Sequence, residues 1–480
     1  VNLASIVEGH PDDAVALIGR GVRTTYGELR ADVARARAGL VARGVAPGDR
    51  VALLCANNRL FVVGYLAVLG AGAVAVPLNP LSPPAELAAE LDVVGATAAI
   101  VGPSAARSFD QPLDLVLTAE DVEGLDGPPA PIVERDADDL AALLFTAGTA
   151  GAPKAAMLTH GNLHTNIRQA QAVPEDALRA GDVVLGVLPL FHVFGLNVVL
   201  GVTLHAGGTV VLVERFDPAT GLETVRDHGC TVVAGAPPMW ASWAALPDGD
   251  PAALASVRLA VSGAAPLSPG TVAAVRDRFG ITLREGYGLT EASPVVTSSA
   301  GTAPGTIGRP LPGVSIRLVD EDGADVPLGD PGELWVRGPN VFAGYWHDEA
   351  ATARALTPDG WLRTGDVAVA DADGTLRLVD RMKDLVIVSG FNVFPAEVEA
   401  VLRSHPAVAD AAVVGVPHPH TGEAVKAFVV VRPGAAVEED DLVHHCEARL
   451  ARYKCPTKVV FVAELPTGAA GKVLRRSLRE

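Results

Sequence analysis

Two segments far apart in the chain end a glycine- and threonine-rich stretch with a lysine. One is Phe145-Thr146-Ala147-Gly148-Thr149-Ala150-Gly151-Ala152-Pro153-Lys154; the other is Pro466-Thr467-Gly468-Ala469-Ala470-Gly471-Lys472. Glycine lets backbone N–H groups turn toward a phosphate, hydroxyls add donors, and lysine adds positive charge. Two such segments at this separation suggest a polyphosphate held between two bodies. The first is not a Walker loop, which needs Gly-Lys-Ser/Thr: Pro153 precedes Lys154 and Ala155 follows it. Between them, Ser262-Gly263-Ala264-Ala265 follows an apolar run, and its small residues would let a flat base approach the backbone. Glu285-Gly286-Tyr287-Gly288-Leu289-Thr290-Glu291 offers an aromatic face, a hydroxyl and a carboxylate. Such a carboxylate suits Mg²⁺, which takes one or two protein oxygens together with phosphate oxygens and water. Asp366, closing Trp361-Leu-Arg-Thr-Gly-Asp366, is an acceptor for ribose hydroxyls.

These residues need elements to position them. Tyr26 to Arg43 reads as an amphipathic helix, Arg50 to Cys55 as a buried strand, Arg59 to Gly70 as a helix and Ala73 to Val76 as a strand. The rhythm recurs at Ala98–Val101, Asp182–Gly186 and Val257–Val261. This alternation predicts an α/β fold of helix-covered sheets. After about residue 310 the texture changes to short strands (Val314–Val319, Gly332–Arg337, Thr375–Leu378) with turns at Asp322-Gly323 and Asp373-Gly374. That stretch predicts a small β-barrel-like subdomain. Beyond Asp380 lies an α+β unit of about a hundred residues. Pro395 opens a helix with Val398, Val401 and Leu402 on one face. Strands follow at Ala411–Val414 and Lys426–Val431, then a helix near Asp440–Arg452 and a strand at Lys458–Val462. The expected division is 1–381 and 382–480.

The chain has 480 residues, 49% of them hydrophobic, and a formal net charge of −18. That balance argues against nucleic acid or an anionic membrane as a partner, so a local pocket must attract any polyanion. Cys55, Cys230, Cys446 and Cys455 lack the spacing of a disulfide framework or a zinc site. Glu8, Asp12 and Asp13 interrupt any apolar leader. A cytoplasmic location is the expectation. The uncharged runs Val183–Val213 and Leu60–Ala85 are long enough to span a bilayer. Pro189, His192, Asn197 and Gly207-Gly208 break the first, and Pro77, Pro80, Pro83 and Pro84 the second. Buried helices followed by core strands account for both.

Read together and in order, the segments resemble the adenylate-forming superfamily of acyl- and aryl-CoA synthetases, peptide-synthetase adenylation domains and firefly luciferase. The resemblance runs from about Tyr26 to Arg476. It implies ATP, Mg²⁺ and coenzyme A, and a small-molecule carboxylic acid activated as acyl-AMP. Thr146, Gly148, Thr149, Gly151 and Lys154 would hold the β- and γ-phosphates. Gly263, Ala264, Ala265, Glu285, Gly286 and Tyr287 would line the adenine site. Thr290 would meet the α-phosphate, Glu291 the metal, and Asp366 with Arg381 the ribose. Lys383 would be the hinge of a mobile C-terminal domain. Lys472 would bridge the carboxylate and the α-phosphate, and Ser389-Gly390-Phe391 would line the pantetheine tunnel. His192, Trp240 and Gly288 would shape the acyl pocket. The resemblance also leaves room for a homodimer.

Departures from the family pattern stand at Ala147 and Ala150, where a hydroxyl is usual, and at Ala155, where glycine is usual. Each lost hydroxyl donor would weaken nucleotide binding by about 0.5–1.5 kcal/mol. Phe191-His-Val-Phe-Gly-Leu196 has no acid to bind an amino group, which sets amino-acid substrates aside. Gly286 stands where an arginine would serve a dicarboxylate. Glu285 to Val295 looks most like medium- to long-chain fatty acyl-CoA ligases, with aryl or short-chain acids as the alternative. A weakly catalytic acyl- or nucleotide-binding homologue is the alternative from another class.

Overall fold

The computed structural model describes residues 1–105, 109–125, 130–146, 153–381, 384–388, 391–419, 421–468 and 473–479. The chain divides into two compact units, Val1–Ser315 with Val336–Leu362, and Ile316–Trp335 with Arg363–Glu480.

Two sheets organise the first unit. The nine-stranded one runs in the order Arg309–Pro310, Val295–Ser298, Leu283–Gly288, Leu259–Ser262, Val232–Gly235, Val183–Gly186, Thr209–Leu212, Val15–Gly19, Val22–Thr25. Its interior is parallel, and its edges are antiparallel. The six-stranded sheet runs Leu115–Thr118, Ala98–Val101, Arg50–Leu54, Val74–Pro77, Leu140–Thr146, Lys154–Thr159, parallel except for the last pair. Strands this apolar, such as Val51 to Leu54 with no exposed surface, are covered on both faces, as parallel sheets require.

The helix Tyr26–Ala42 begins at a capping box between Thr25 and Glu28, which fixes its start where the sequence pattern put it. The 12-residue helix Arg59–Gly70 is apolar on nearly every side and buried accordingly. At roughly 18 Å it is far shorter than a bilayer core. The uncharged run from Val183 resolves into a strand, a π-helix at Phe194–Val202, a short helix at Thr203–Ala206 and the strand Thr209–Leu212. Among the described residues no helix is long and apolar enough to cross a membrane. The π-helix has no counterpart in the sequence reading. It starts where Gly195 lies against Pro189, so close that a β-carbon would sit 2.2 Å from the Pro189 carbonyl oxygen.

In the second unit the short strands form a four-stranded sheet, Ser315–Val319, Gly332–Arg337, Leu362–Ala370, Leu376–Arg381. A further sheet runs Phe391–Val393, Val386–Val388, Gly422–Val431, Val408–His418, with Lys458–Phe461 also on Gly422–Val431. The helix Pro395–Arg403 buries Val398 and Leu402 against it, with Val401 packed at the edge of that core. The following helix ends at Glu447 rather than Arg452, because the N–H groups of Arg449 and Leu450 both turn back onto the Cys446 carbonyl.

Candidate active site

Ligands of parallel α/β sheets sit beyond the carboxyl ends of the strands. Two neighbouring strands of the nine-stranded sheet end together and the third runs on past them: Gly235 lies opposite Ser262, and Ser262 opposite Glu285, three residues before the strand Leu283–Gly288 ends. The loop Gly263-Ala264-Ala265 therefore leaves the sheet beside the strand segment Glu285 to Gly288. Gly263 donates its N–H to the Gly235 carbonyl at 3.2 Å. A β-carbon on Gly263 would lie 2.8 Å from the Phe194 ring, so the loop backbone rests on that aromatic. Ala264 takes a left-handed φ of 71°. Burial raises the Glu285 pKa, and its N–H is held by Ser299 Oγ at 2.8 Å.

His192 precedes Phe194 in the turn that enters the π-helix. Its Nδ1 accepts the Phe194 N–H at 3.3 Å, and burial lowers its pKa, so the ring is neutral near pH 7. Asn57 holds this turn from outside. Its Nδ2 donates to the Gly186 and Leu188 carbonyls at 3.0 and 2.8 Å, and its Oδ1 accepts the Leu190 N–H at 2.9 Å. Trp240 and Trp243 stack edge to face at 5.4 Å inside the core cluster of this sheet. The Trp240 Nε1 has no hydrogen-bond partner among the described residues. Beside it the Met239 methyl lies 2.0 Å from where a Gly235 β-carbon would stand.

Thr290-Glu291-Ala292 form one short 3₁₀ turn after the strand Leu283–Gly288. Tyr287 is buried, and Gly286 faces the Thr297 carbonyl. A buried polar network grips the turn. Asn340 Nδ2 donates to the Ala292 carbonyl at 2.9 Å, Ser293 Oγ to the Asn340 carbonyl at 2.8 Å, and Asn197 Nδ2 to the Ser293 carbonyl at 2.7 Å. Asn166 exchanges two hydrogen bonds with Val295. Among the described residues the Asn340 Oδ1 is left without a partner, while the other hydrogen bonds tie the turn to three separate elements.

Thr146 and Lys154 face each other across the hairpin Leu140–Thr146/Lys154–Thr159, at the two ends of the phosphate-loop candidate. Gly148, Thr149 and Gly151, with Ala147 and Ala150, lie outside the described residues. Ala155 is fully buried, its methyl part of the core of the six-stranded sheet. Lys154 Nζ stands 5.5 Å from the centre of the Tyr345 ring, and the Tyr345 hydroxyl donates to Glu291 Oε1 at 2.7 Å. Burial, then the Glu291 charge, raise the Tyr345 pKa, so the phenol remains a donor.

Among the described residues no group of three or more His, Cys, Asp or Glu forms a metal cage. Glu291 stands as a single carboxylate, and its Oε2 has no partner among the described residues. That donor set suits Mg²⁺, whose remaining ligands are phosphate oxygens and water.

The second unit brings another pair together. Asp366, nearly buried, lies directly opposite Arg381 in the hairpin Leu362–Ala370/Leu376–Arg381. Phe391 is exposed and stacks on Tyr453 with centroids 4.8 Å apart. Lys383, Ser389, Gly390 and Lys472 lie outside the described residues. Thr467 and Val473, which flank the terminal lysine segment, pair antiparallel.

Sequence reasoning passed over Asn57, Asn166, Asn197, Asn340 and Tyr345. Asn197 was noted only as a break in an apolar run, yet a polar side chain in such a run is itself a signal of a buried hydrogen-bond network. Tyr345 had a weaker cue, the Gly344-Tyr345-Trp346 aromatic pair following a left-handed glycine.

Comparison with known proteins identifies the family and matches the fold. The AMP-binding enzyme family matches residues 3–346 and the AMP-binding enzyme C-terminal domain residues 397–472. A feruloyl-CoA synthase from Amycolatopsis sp is 40% identical over 473 residues, covering 97% of this chain and 95% of that protein. A long-chain-fatty-acid–CoA ligase of Yersinia pestis is 36% identical, covering 98% and 92%. The ATP-bound crystal structure of MatB from Rhodopseudomonas palustris superposes with a TM-score of 0.92 at 35% identity, covering 100% of this chain and 98% of that one. The chain therefore belongs to the AMP-binding enzyme family, among the AMP-forming acid–thiol ligases that use ATP, Mg²⁺ and CoA.

Proposed function

We propose that the protein joins an aryl-substituted carboxylic acid of the hydroxycinnamic type to CoA through its acyl-adenylate. The observation that carries this choice is the close aromatic wall at the strand ends. Phe194 lies against Gly263, and Met239 with Trp240 against Gly235, so flat and apolar side chains stand at these strand ends, surroundings that suit a planar acyl group. The similarity to a feruloyl-CoA synthase supports the same reading. A medium- or long-chain fatty acid is the second reading, supported by the Glu285–Val295 segment and by the similarity to a long-chain ligase.

The residue roles are those the family resemblance implies, and charge explains why the cationic ones are needed. A carboxylate oxygen attacks the α-phosphorus of ATP, and the P–O bond to pyrophosphate breaks. The attacking and attacked groups are both anionic, so cations must offset their repulsion. Lys154 faces the β- and γ-phosphates beside the Thr146 loop, where Gly148, Thr149 and Gly151 supply N–H groups. Glu291 would hold Mg²⁺, which would supply further neutralisation when bound. Thr290 donates to the α-phosphate. Gly263, Ala264, Ala265, Glu285, Gly286 and Tyr287 seat the adenine, and Asp366 with Arg381 holds the ribose. Lys472 bridges the carboxylate and the α-phosphate in the first half-reaction. Residues 382–480 then turn about Lys383, and Ser389, Gly390 and Phe391 guide the CoA thiolate to the acyl carbon. The acyl–phosphate bond breaks and AMP leaves. Neutral His192 closes the acyl pocket with Trp240 and Gly288.

Acid-dependent ATP–pyrophosphate exchange and CoA-dependent AMP release, measured with ferulate, 4-coumarate, octanoate and palmitate, test the acid class. The hydroxycinnamates are expected to show at least about tenfold higher kcat/KM, the scale of one well-fitted pocket contact. A preference for palmitate selects the second reading, and no exchange with any acid would return the chain to a binding role. Lys472→Ala should lose about 10²–10³ in adenylation while still converting supplied acyl-AMP and CoA to thioester.

A further inference from the structure

The segment Phe342–Trp346 joins the strand that begins at Lys154 to the turn that carries Glu291, the residues proposed for phosphate and metal. One of its edges is hydrogen-bonded to the strand that begins at Lys154. Ala343 N–H donates to the Met157 carbonyl at 3.0 Å, Met157 N–H to Gly344 at 2.9 Å, and Trp346 N–H to Ala155 at 2.8 Å. At its start, Phe342 N–H donates to the Glu291 carbonyl at 2.9 Å. The segment is thus a strap whose backbone binds both the lysine strand and the Glu291 turn. Tyr345 is the side chain on that strap that touches both functional groups. Its hydroxyl reaches Glu291 Oε1 and its ring face meets Lys154 Nζ. The ring is itself fixed. Phe342 packs edge-on against it at 5.0 Å, and the Tyr345 N–H donates to Thr352 Oγ1 at 2.9 Å.

We infer that Tyr345 is a positioning residue that keeps Glu291 and Lys154 separately available, one carboxylate oxygen for a cation and one ammonium for phosphate. This rests on the proposed roles of Glu291 and Lys154. A lysine and a glutamate that reach the same side chain attract each other, and direct pairing would cancel both charges. With the phenol in contact with each, the ammonium is offered the quadrupole of a ring face and the carboxylate a hydroxyl donor. Neither contact neutralises a charge. The hydroxyl also occupies Oε1, which leaves Oε2 as the oxygen presented to a metal. A partner that orients a metal-binding carboxylate in this way commonly sets metal affinity without touching the metal.

The test is calorimetric ATP binding, with Mg²⁺ titrated and with metal chelated, on the full chain. Tyr345→Phe keeps the ring face and removes the hydroxyl. It should bind metal-free ATP within about twofold of wild type while needing about tenfold more Mg²⁺ to reach the tightened state. Tyr345→Leu, which removes the ring as well, should also weaken metal-free ATP. Metal-free ATP binding by Tyr345→Phe serves as its own control for folding. Wild-type Mg²⁺ dependence in Tyr345→Phe overturns the inference, as does an equal loss of metal-free and Mg²⁺-supported binding. Glu291→Gln separates the two levels. If it shifts the Mg²⁺ dependence and Tyr345→Phe does not, only the role of Tyr345 falls. If Glu291→Gln leaves that dependence unchanged, the metal assignment and this inference fall together.

Discussion

Gly288 shows how a single position can be dictated by its backbone surroundings. A β-carbon there would stand 2.2 Å from the Pro294 carbonyl oxygen and 2.8 Å from its carbon, and both are main-chain atoms that cannot swing aside. Glycine is required for Leu283–Gly288 to close on Val295–Ser298 just before the Thr290-Glu291 turn. Gly288→Ala should therefore cost about 1–3 kcal/mol by overpacking. It should also slow pyrophosphate exchange by displacing the turn, a pairing checked by thermal melting beside the exchange assay. A wild-type melt with wild-type exchange would contradict this. Ala155 is the opposite case: its methyl is buried in the core, so the alanine is accommodated by packing at the cost of no exposed surface.

At the level of elements, the turn expected at Asp373-Gly374 has a consequence the sequence reading did not draw, the pairing of Asp366 with Arg381. A hairpin turning at Asp373-Gly374 brings residues equally distant from that turn together, and Asp366 and Arg381 are such a pair. Gly374 indeed takes a φ of 80°, with its N–H on the Asp371 carbonyl. The ion cluster beneath the terminal segment was not legible. Arg475 donates to Glu399 Oε1 at 2.7 Å and to Asp384 Oδ2 at 3.2 Å, carboxylates whose side chains are 6% and 12% exposed. Glu399 also accepts the Val413 N–H, so the cluster joins the helix Pro395–Arg403, a sheet strand and the chain end. Among the described residues, replacing Arg475 with methionine would leave Glu399 only Arg403 as a cation and Asp384 only Arg479, each at 3.5 Å, a loss of about 1–3 kcal/mol. Hydrogen exchange across residues 473–479 should accelerate in Arg475→Met. Unchanged protection there would show that the cluster does not anchor the segment.

Across the whole molecule, the N-terminal residues are tied to the six-stranded sheet through a buried histidine. His160 has no exposed surface and its Nδ1 accepts the Leu3 N–H at 3.0 Å. Burial, then the charge of Arg135, lowers its pKa from 6.5 to about 4. Protons therefore favour the unfolded chain. The linkage has no effect on stability above about pH 6.5, and stability falls as pH drops from there toward 4. By pH 5 the loss is about 2 kcal/mol. His160→Asn retains an acceptor for Leu3 and cannot titrate, so its denaturation midpoint should change less than that of wild type between pH 7 and pH 5. Identical pH slopes in the two proteins would remove His160 as the cause.

The candidates that the sequence offers for chemistry are confined to a few consecutive residues each. The glycines, hydroxyls and charges of Thr146–Lys154, Glu285–Glu291 and Trp361–Asp366 each fall within a short run of consecutive residues, and βα periodicity announced sheets to carry them. What only the tertiary structure decided are contacts between residues far apart in the chain. Tyr345 and Glu291 are 54 positions apart, Asn197 and Ser293 are 96, and Asn57 reaches Leu190 across 133. Local periodicity reports which face of an element is buried. Strand order, register and packing then determine which remote polar side chain that burial leaves within hydrogen-bond reach, and no pattern along the chain encodes that pairing.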